Sequence, residues 1–257
     1  MSNVLYEVKD RVGFLTLNRP EKKNALNAAM VSDLKASFSK AEKDSAVKVI
    51  VLKANGDVFC SGADLESLQQ LQKNSHEENV KDSNHLKELF LQIYTLKKVV
   101  IAQVQGHALA GGCGLATVCD FVFAVPKAKM GYTEVRIGFV PAIVMVFLLR
   151  KIGEQKAKQL LLSGELISGE DTVKYGLVNY LVSEEKLAEE VSTFCDRLIH
   201  NNSVQSMELT KEMIAHAQSM TLEDGLDYAA EMNAKARATA DCKRGISAFL
   251  NKEKLSW

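Results

Sequence analysis

Three short segments of this 257-residue sequence hold residue types that could carry chemistry. In Gly131-Tyr132-Thr133-Glu134-Val135-Arg136, one carboxylate lies just ahead of an eleven-residue apolar run, Phe139 to Leu149. Apolar surroundings disfavour the charged form of a carboxyl and raise its pKa toward the range useful for proton transfer. A structural salt bridge between Glu134 and Arg136 or another cation is the competing reading, and the residues alone leave the two even. The segment Gly106 to Leu115 is rich in glycine and precedes a short apolar helix, whose start can aim backbone N–H groups at a negative oxygen. Close packing would use the same glycines. No Lys-Ser or Lys-Thr follows, so it is not a P-loop, and G-x-G-x-x-G is not met in register. The segment Phe59 to Leu65 combines small residues, which admit close approach to a ligand, with a turn entering a helix, where amides lack partners. Its structural alternative is a tight connection with Asp64 near a helix start, favoured by the macrodipole.

These segments need elements to hold them. Val4 to Val8 and Arg11 to Asn18 read as strands around a short polar turn. Asn27 is placed to cap a helix bearing Met30, Leu34, Phe38 and Ala41 on one face. Val47 to Leu52 and Val99 to Val104 read as strands covered on both faces, and Phe121 to Val125 as another strand. Gly106 to Gly114 reads as a turn, with Leu115 to Cys119 as the body of a short helix. Gln69 to Asn84 is polar and weakly periodic, while Leu86 to Leu96 regains helical spacing. Ser168 with Asp171 and Thr221 with Asp224 have capping-box spacing. Leu187, Val191, Phe194 and Leu198 mark an amphipathic helix, and from there the pattern is almost all helical. The expected organisation is α/β, with repeated β-β-α units over residues 1–190 and a helical region over 191–257. The terminal Phe249, Leu250, Leu255 and Trp257 form an apolar edge of the kind that docks.

Composition narrows the function classes. Apolar residues at 47% and charged residues at 25% are ordinary globular usage and exclude a disordered chain. Lys plus Arg equals Asp plus Glu, 32 each, so no global field favours nucleic acid or an anionic membrane. The longest apolar run is too short to span a bilayer, and Met1 to Asp10 has no signal core. Cys60, Cys113, Cys119, Cys195 and Cys242 show no C-x-x-C spacing, so free thiols in a cytoplasmic protein are expected, with neither disulfide framework nor metal site.

Together, in this order, the segments resemble the enoyl-CoA hydratase/isomerase (crotonase) superfamily over nearly the whole chain. Asn18-Arg19-Pro20 with Asn24-Ala25-Leu26 is similar to its early signature. Ser61-Gly62-Ala63-Asp64-Leu65 and Ala110-Gly111-Gly112-Cys113 resemble its two oxyanion segments. Cys119-Asp120 and the Gly138 to Pro141 turn also fall in place. The resemblance implies a crotonase-like spiral with a C-terminal helical trimerisation region, as a trimer or a dimer of trimers. It implies an acyl-CoA thioester as substrate, with coenzyme A part of that substrate and no separate cofactor. It assigns the N–H groups of Ala63 and Gly111 to the thioester oxygen and proton transfer to Glu134. Lys22, Lys23, Ala25, Asp64, Leu65 and Gly114 would contact substrate or CoA. Phe249 and Lys252 would reach a neighbour's CoA.

One position departs from the family. Typical hydratases carry a glutamate three residues after the second oxyanion glycine, and Gly114 stands there. Either Glu134 holds water and relays its proton alone, or Tyr132, His107 or a side chain from the polar stretch Glu77 to His85 supplies the missing group. Gly114 together with Glu134 to Val144 is similar to bacterial methylglutaconyl-CoA hydratases of leucine degradation, whose acid-bearing substrate could place its own carboxylate at the vacant position. The expected reaction is hydration of an α,β-unsaturated acyl-CoA. Isomerisation or decarboxylation through the same enolate is the alternative, and a non-catalytic thioester- or RNA-binding role comes last.

Overall fold

The computed structural model describes residues 2–257, with every side chain among them except that of Leu65. In chain order the elements begin β1 (Val4–Lys9), β2 (Val12–Leu17), α1 (Ala28–Lys43), β3 (Val49–Ala54), β4 (Val58–Cys60), α2 (Leu65–Leu71) and α3 (His76–Thr95). Next come β5 (Val99–Val104), β6 (His107–Leu109), α4 (Gly111–Thr117), β7 (Phe121–Ala124), β8 (Met130–Gly131) and α5 (Ala142–Ser163), the last broken at Gly153. The chain ends with β9 (Leu166–Ile167), α6 (Glu170–Tyr175), β10 (Tyr180–Leu181), α7 (Leu187–Asn201), α8 (Val204–Ala217), α9 (Leu222–Ala238) and α10 (Ala240–Leu250).

Three successive passes of the chain build two sheets at once. One sheet has the order β1-β2-β3-β5-β7-β10 and the other β4-β6-β8-β9. β3, β5 and β7 pair in parallel in the first; β4, β6 and β8 pair in parallel in the second. Each pass therefore adds one strand to each sheet before entering a helix, which is the expected β-β-α spiral. Val49 to Leu52 is fully buried, as a strand covered on both faces must be.

The second sheet positions the site. β4 runs into Ser61–Asp64, β6 into Ala110–Gly111, and β8 into Tyr132–Glu134. Parallel pairing brings these three carboxyl ends side by side, the place where open α/β sheets leave a crevice.

Some local expectations change. His107 to Leu109 is a strand and α4 already starts at Gly111, because the parallel bonds to β8 extend the segment read as a turn. Thr221 caps α9 by accepting from Asp224 N, but α6 is preceded by Gly169 with no side-chain cap, so Ser168 and Asp171 form no capping box. The boundary at residue 191 falls inside α7. Its Leu187, Val191, Phe194, Cys195, Leu198 and Ile199 belong to the main core, and α8 is tied to the same body through buried Lys211. Phe249 and Leu250 are exposed, whereas Trp257 docks through its backbone N–H, which donates to His200 O at 3.0 Å.

Candidate active site

The first oxyanion segment is held from below by a polar network. Asn24 takes a left-handed conformation (φ 53°) and its amide donates to Asn55 O at 2.9 Å and Val58 O at 2.8 Å. Arg19 donates to Ala25 O at 3.1 Å and to Asp64 Oδ2 at 3.1 Å. Asp64 Oδ1 accepts from Glu66 N at 3.0 Å and so caps α2. Both carboxylate oxygens are thus engaged. The Asp64 side chain is a positioning group, which leaves the expected CoA contact of the Ala63 to Leu65 backbone untouched.

Between these anchors, Leu26 N donates to Gly62 O at 2.7 Å and Asp64 N donates to Leu26 O at 3.0 Å. In such a parallel bridge the flanked residue turns its own N–H and C=O away from the partner strand. That residue is Ala63, paired with Leu26. Its N–H donates to no acceptor among the described residues.

The second amide arises at a helix start. Gly111 is the first residue of α4, where an N–H has no intrahelical acceptor. Ala110 before it adopts φ 51°, ψ −126°, a conformation that costs a residue with a side chain about 1–3 kcal/mol and tends to gather at functional sites. It is held there by Ala110 N donating to Gly131 O at 2.8 Å. The two amide-bearing loops touch: a Cβ on Gly62 (φ 92°) would lie 2.9 Å from Ala110 Cβ and 3.6 Å from Gly111 N. Only glycine at 62 permits that approach.

Glu134 opens a tight turn, Glu134–Ile137, closed by Gly138 in the left-handed region. Its Oε2 is buried with no hydrogen-bond partner. Burial raises its pKa above the ordinary carboxylate value. No ion pair to Arg136 forms among the described residues, which resolves the even choice left by the sequence. The charge of Glu134 lies close enough to α4 to push the Cys113 thiol upward, secondary to burial.

Four of the candidate substitutes for a second acid have partners elsewhere. Tyr132 is fully buried, with its hydroxyl 3.0 Å from Thr117 Oγ1. His107 Nδ1 accepts from Lys129 N at 3.1 Å. His85 bridges α3 to α1 through Ala28 O, Ser32 and Lys35. Glu78 closes a reciprocal capping box with Ser75. The position at Gly114 is not vacant either, since Val144 and Phe90 lie against it. A carboxylate placed at that spot would meet apolar atoms, which disfavour its charged form.

A pocket of about 440 Å³ adjoins Ala63 and is lined by Lys22, Lys23, Ala25, Ser61 and Asp64 among others. Lys22 pairs with Glu66 at 3.0 Å across its exposed rim. The Leu65 side chain lies outside the described residues. Phe249, at 83% exposure, and Lys252 do not line this pocket in the single chain. Arg19 and Asn24 entered the sequence reading as parts of a signature without an anchoring role, and the strain at Ala110 was missed. Asn24 beside two lysines carried a usable signal, because Asn tolerates the left-handed region.

Asp64→Ala is expected to remove a helix cap and strand Arg19, at a cost of about 2–4 kcal/mol. A drop in the denaturant midpoint at unchanged m-value measures it, and an unchanged midpoint contradicts the anchoring role.

A family profile described as enoyl-CoA hydratase/isomerase matches residues 7–257. A Thermus thermophilus protein assigned as an enoyl-CoA hydratase is 41% identical over 244 residues, covering 95% of this chain and 96% of its own. The crotonyl-CoA hydratase of Syntrophomonas wolfei is 32% identical over 257 residues, covering 99% and 97%. The crystal structure of an enoyl-CoA hydratase from Mycobacterium smegmatis superposes with a TM-score of 0.93 at 30% identity, covering 99% of this chain and 98% of that one.

Proposed function

The chain belongs to the enoyl-CoA hydratase/isomerase family, and from that premise we propose that it hydrates 2-enoyl-CoA thioesters with Glu134 as the general acid/base. The observation that carries this reading is that a buried, unpartnered carboxyl oxygen and two amides without an acceptor all follow the ends of neighbouring parallel strands. The thioester oxygen sits between Ala63 N–H and Gly111 N–H, which polarise the conjugated double bond. Water held by Glu134 adds its oxygen to C3 while Glu134 takes the proton. Negative charge gathers on the thioester oxygen as the enolate forms, where each preorganised donor is worth about 2.7–4 kcal/mol. Glu134 then returns the proton to C2, so the carboxylate is regenerated and the thioester restored. A raised pKa suits both halves of that exchange.

The finer reading is a substrate branched at C3, of the methylglutaconyl-CoA kind met in leucine degradation, with its distal carboxylate directed away from Gly114. Coenzyme A would lie along the Lys22–Lys23 pocket and the Ala63 to Leu65 backbone. Exposed Ile214, Leu222, Leu226 and Ile246 on α8–α10 support assembly as a homotrimer or dimer of trimers, with Phe249 and Lys252 turned to a neighbour's CoA. A cytoplasmic location goes with this metabolic role; among the described residues no helix is long and apolar enough to cross a membrane. A second reading, double-bond isomerisation, is favoured by one observation, the apolar packing at Gly114, since a lone carboxylate can carry a proton between carbons.

The test is a panel of 2-enoyl-CoA substrates followed by loss of the conjugated thioester absorbance. Hydration predicts turnover, with the C3-branched, acid-bearing member preferred over crotonyl-CoA. No loss of absorbance with any member contradicts the reading.

A further inference from the structure

Tyr132 is among the largest fully buried side chains of the described residues, and its hydroxyl has a defined partner. Thr117 Oγ1 donates to Gly114 O at 3.3 Å, which uses its only proton. At 3.0 Å from that oxygen, the Tyr132 O–H is therefore the donor of the Tyr132–Thr117 bond. Cys113, one turn earlier on α4, is a second side chain that faces this hydroxyl. Stranding a buried hydroxyl is costly, so the phenol ring and α4 move as one body.

The bond joins the two halves of the machinery. Gly111 and Thr117 are the first and last residues of α4, and Tyr132 stands two residues before Glu134. β8 ends at Gly131, and beyond it the backbone hydrogen bonds of the Glu134 turn are local: Arg136 N donates to Thr133 O and Phe139 N to Glu134 O, both at 3.0 Å. Glu134 Oε2 adds no tie of its own. Hydrogen bonds at both ends of α4 connect this segment to the helix. Ala110 N donates to Gly131 O at 2.8 Å just before the helix start, and Tyr132 reaches Thr117 at the helix end. A tie at one end lets a helix pivot, whereas ties at both ends fix its tilt. Lys151 secures the far end by donating to Thr117 O at 2.7 Å and Cys119 O at 3.0 Å.

We propose that Tyr132 is a positioning residue of this site: through its bond to Thr117 it holds the helix that offers the Gly111 amide at a fixed distance from the segment that carries Glu134. This rests on the hydratase reading above, in which that amide and that carboxyl act on one thioester. Charge gathers on the carbonyl oxygen while Glu134 moves the proton, so an error in their spacing is felt most in the transition state. Ground-state binding depends on that spacing much less.

Hydration kinetics with the member of the enoyl-CoA panel that wild type turns over fastest test the proposal. Tyr132→Phe keeps the ring and removes the hydroxyl, and is expected to lower kcat about tenfold with KM within about twofold of wild type. Thr117→Val, which removes the acceptor, is expected to do the same. Thr117→Ser keeps the oxygen and is expected to stay within about twofold of wild-type kcat. Both residues act through one bond, so the double variant Tyr132→Phe/Thr117→Val is expected to be as slow as either single one. A merely structural role lowers the melting temperature and leaves kcat per folded molecule unchanged, and that result overturns the proposal. So does a loss confined to KM, a double variant slowed by the product of the single losses, or a Thr117→Ser enzyme as slow as Thr117→Val. If Tyr132→Phe does not fold, the Thr117→Val and Thr117→Ser pair carries the test by itself. Wild-type protein inert on every enoyl-CoA defeats the hydratase reading and the inference with it; active wild-type protein with Tyr132→Phe equally fast defeats the inference alone.

Discussion

Glu134→Gln is expected to lower kcat for enoyl-CoA hydration by about 10²–10⁴-fold, the range for loss of a positioned general acid/base. The upper part of the range is expected, because the packing at Gly114 leaves Glu134 to handle both proton movements and Tyr132 and His107 are committed elsewhere. The same variant is expected to be more stable than wild type at neutral pH. Burial raises the Glu134 pKa in the folded protein above its unfolded value, near 4.3. Below the unfolded value the carboxyl is protonated in both states and stability is independent of this group. Between the two values only the folded protein keeps the proton, so stability declines with rising pH. Above the folded value the penalty of an ionised, half-buried carboxylate is complete. Glutamine never ionises and never incurs it. The melting-temperature advantage of the variant should therefore be larger at pH 7.5 than at pH 4. The acid limb of kcat/KM for the wild type should fall above pH 4.3, since attack by water needs the carboxylate. An active Glu134→Gln enzyme removes this residue from the mechanism, and a pH-independent stability difference removes the burial argument.

The second large effect concerns an amide with no side chain to mutate. Gly111 is the first residue of α4, where proline is accepted and its missing N–H leaves no helix bond unmade. A Cβ at this position meets only Leu26 Cδ1, at 3.5 Å. Gly111→Pro should thus remove one oxyanion donor, lowering kcat by at least about 10²–10³-fold, with the clash between the ring and Ala110 at ψ −126° adding to the loss. Gly111→Ala adds the same Cβ but keeps the N–H, and should retain activity within a few fold. Because the donor acts on charge that develops during reaction, the loss should appear in kcat more than in KM. Equal activity of the two variants would show that the Gly111 amide does not serve the reaction.

The parts of the site that were legible beforehand are those with local causes. Small residues after β4 and β6 announce close backbone approach, and an isolated carboxyl in apolar surroundings announces a raised pKa. Asn27 and Thr221 cap their helices as their types and spacing indicate. Contacts between distant segments left no such mark. Nothing near Gly114 foretells Val144, thirty positions later, because the packing depends on how α5 returns across α4. Asp64 has the type and place of a residue at a helix start, and only the tertiary approach of Arg19 shows that its second oxygen is also taken. The strain at Ala110 was invisible because nothing in alanine itself points to a positive φ. What the apolar face of α7 meets was equally illegible, since a helix is amphipathic whether that face packs on the sheet or on a partner.

The central claim is that water oxygen ends on C3 of the acyl chain while Glu134 moves the proton. Incubation with crotonyl-CoA or its 3-methyl derivative in ¹⁸O-enriched water, followed by mass spectrometry of the acyl product, tests it most directly. The account predicts a hydroxyacyl-CoA carrying one heavy oxygen, formed by wild type and not by Glu134→Gln. A product of unchanged oxygen content with a relocated double bond, or label incorporated equally by the Glu134→Gln variant, would contradict it.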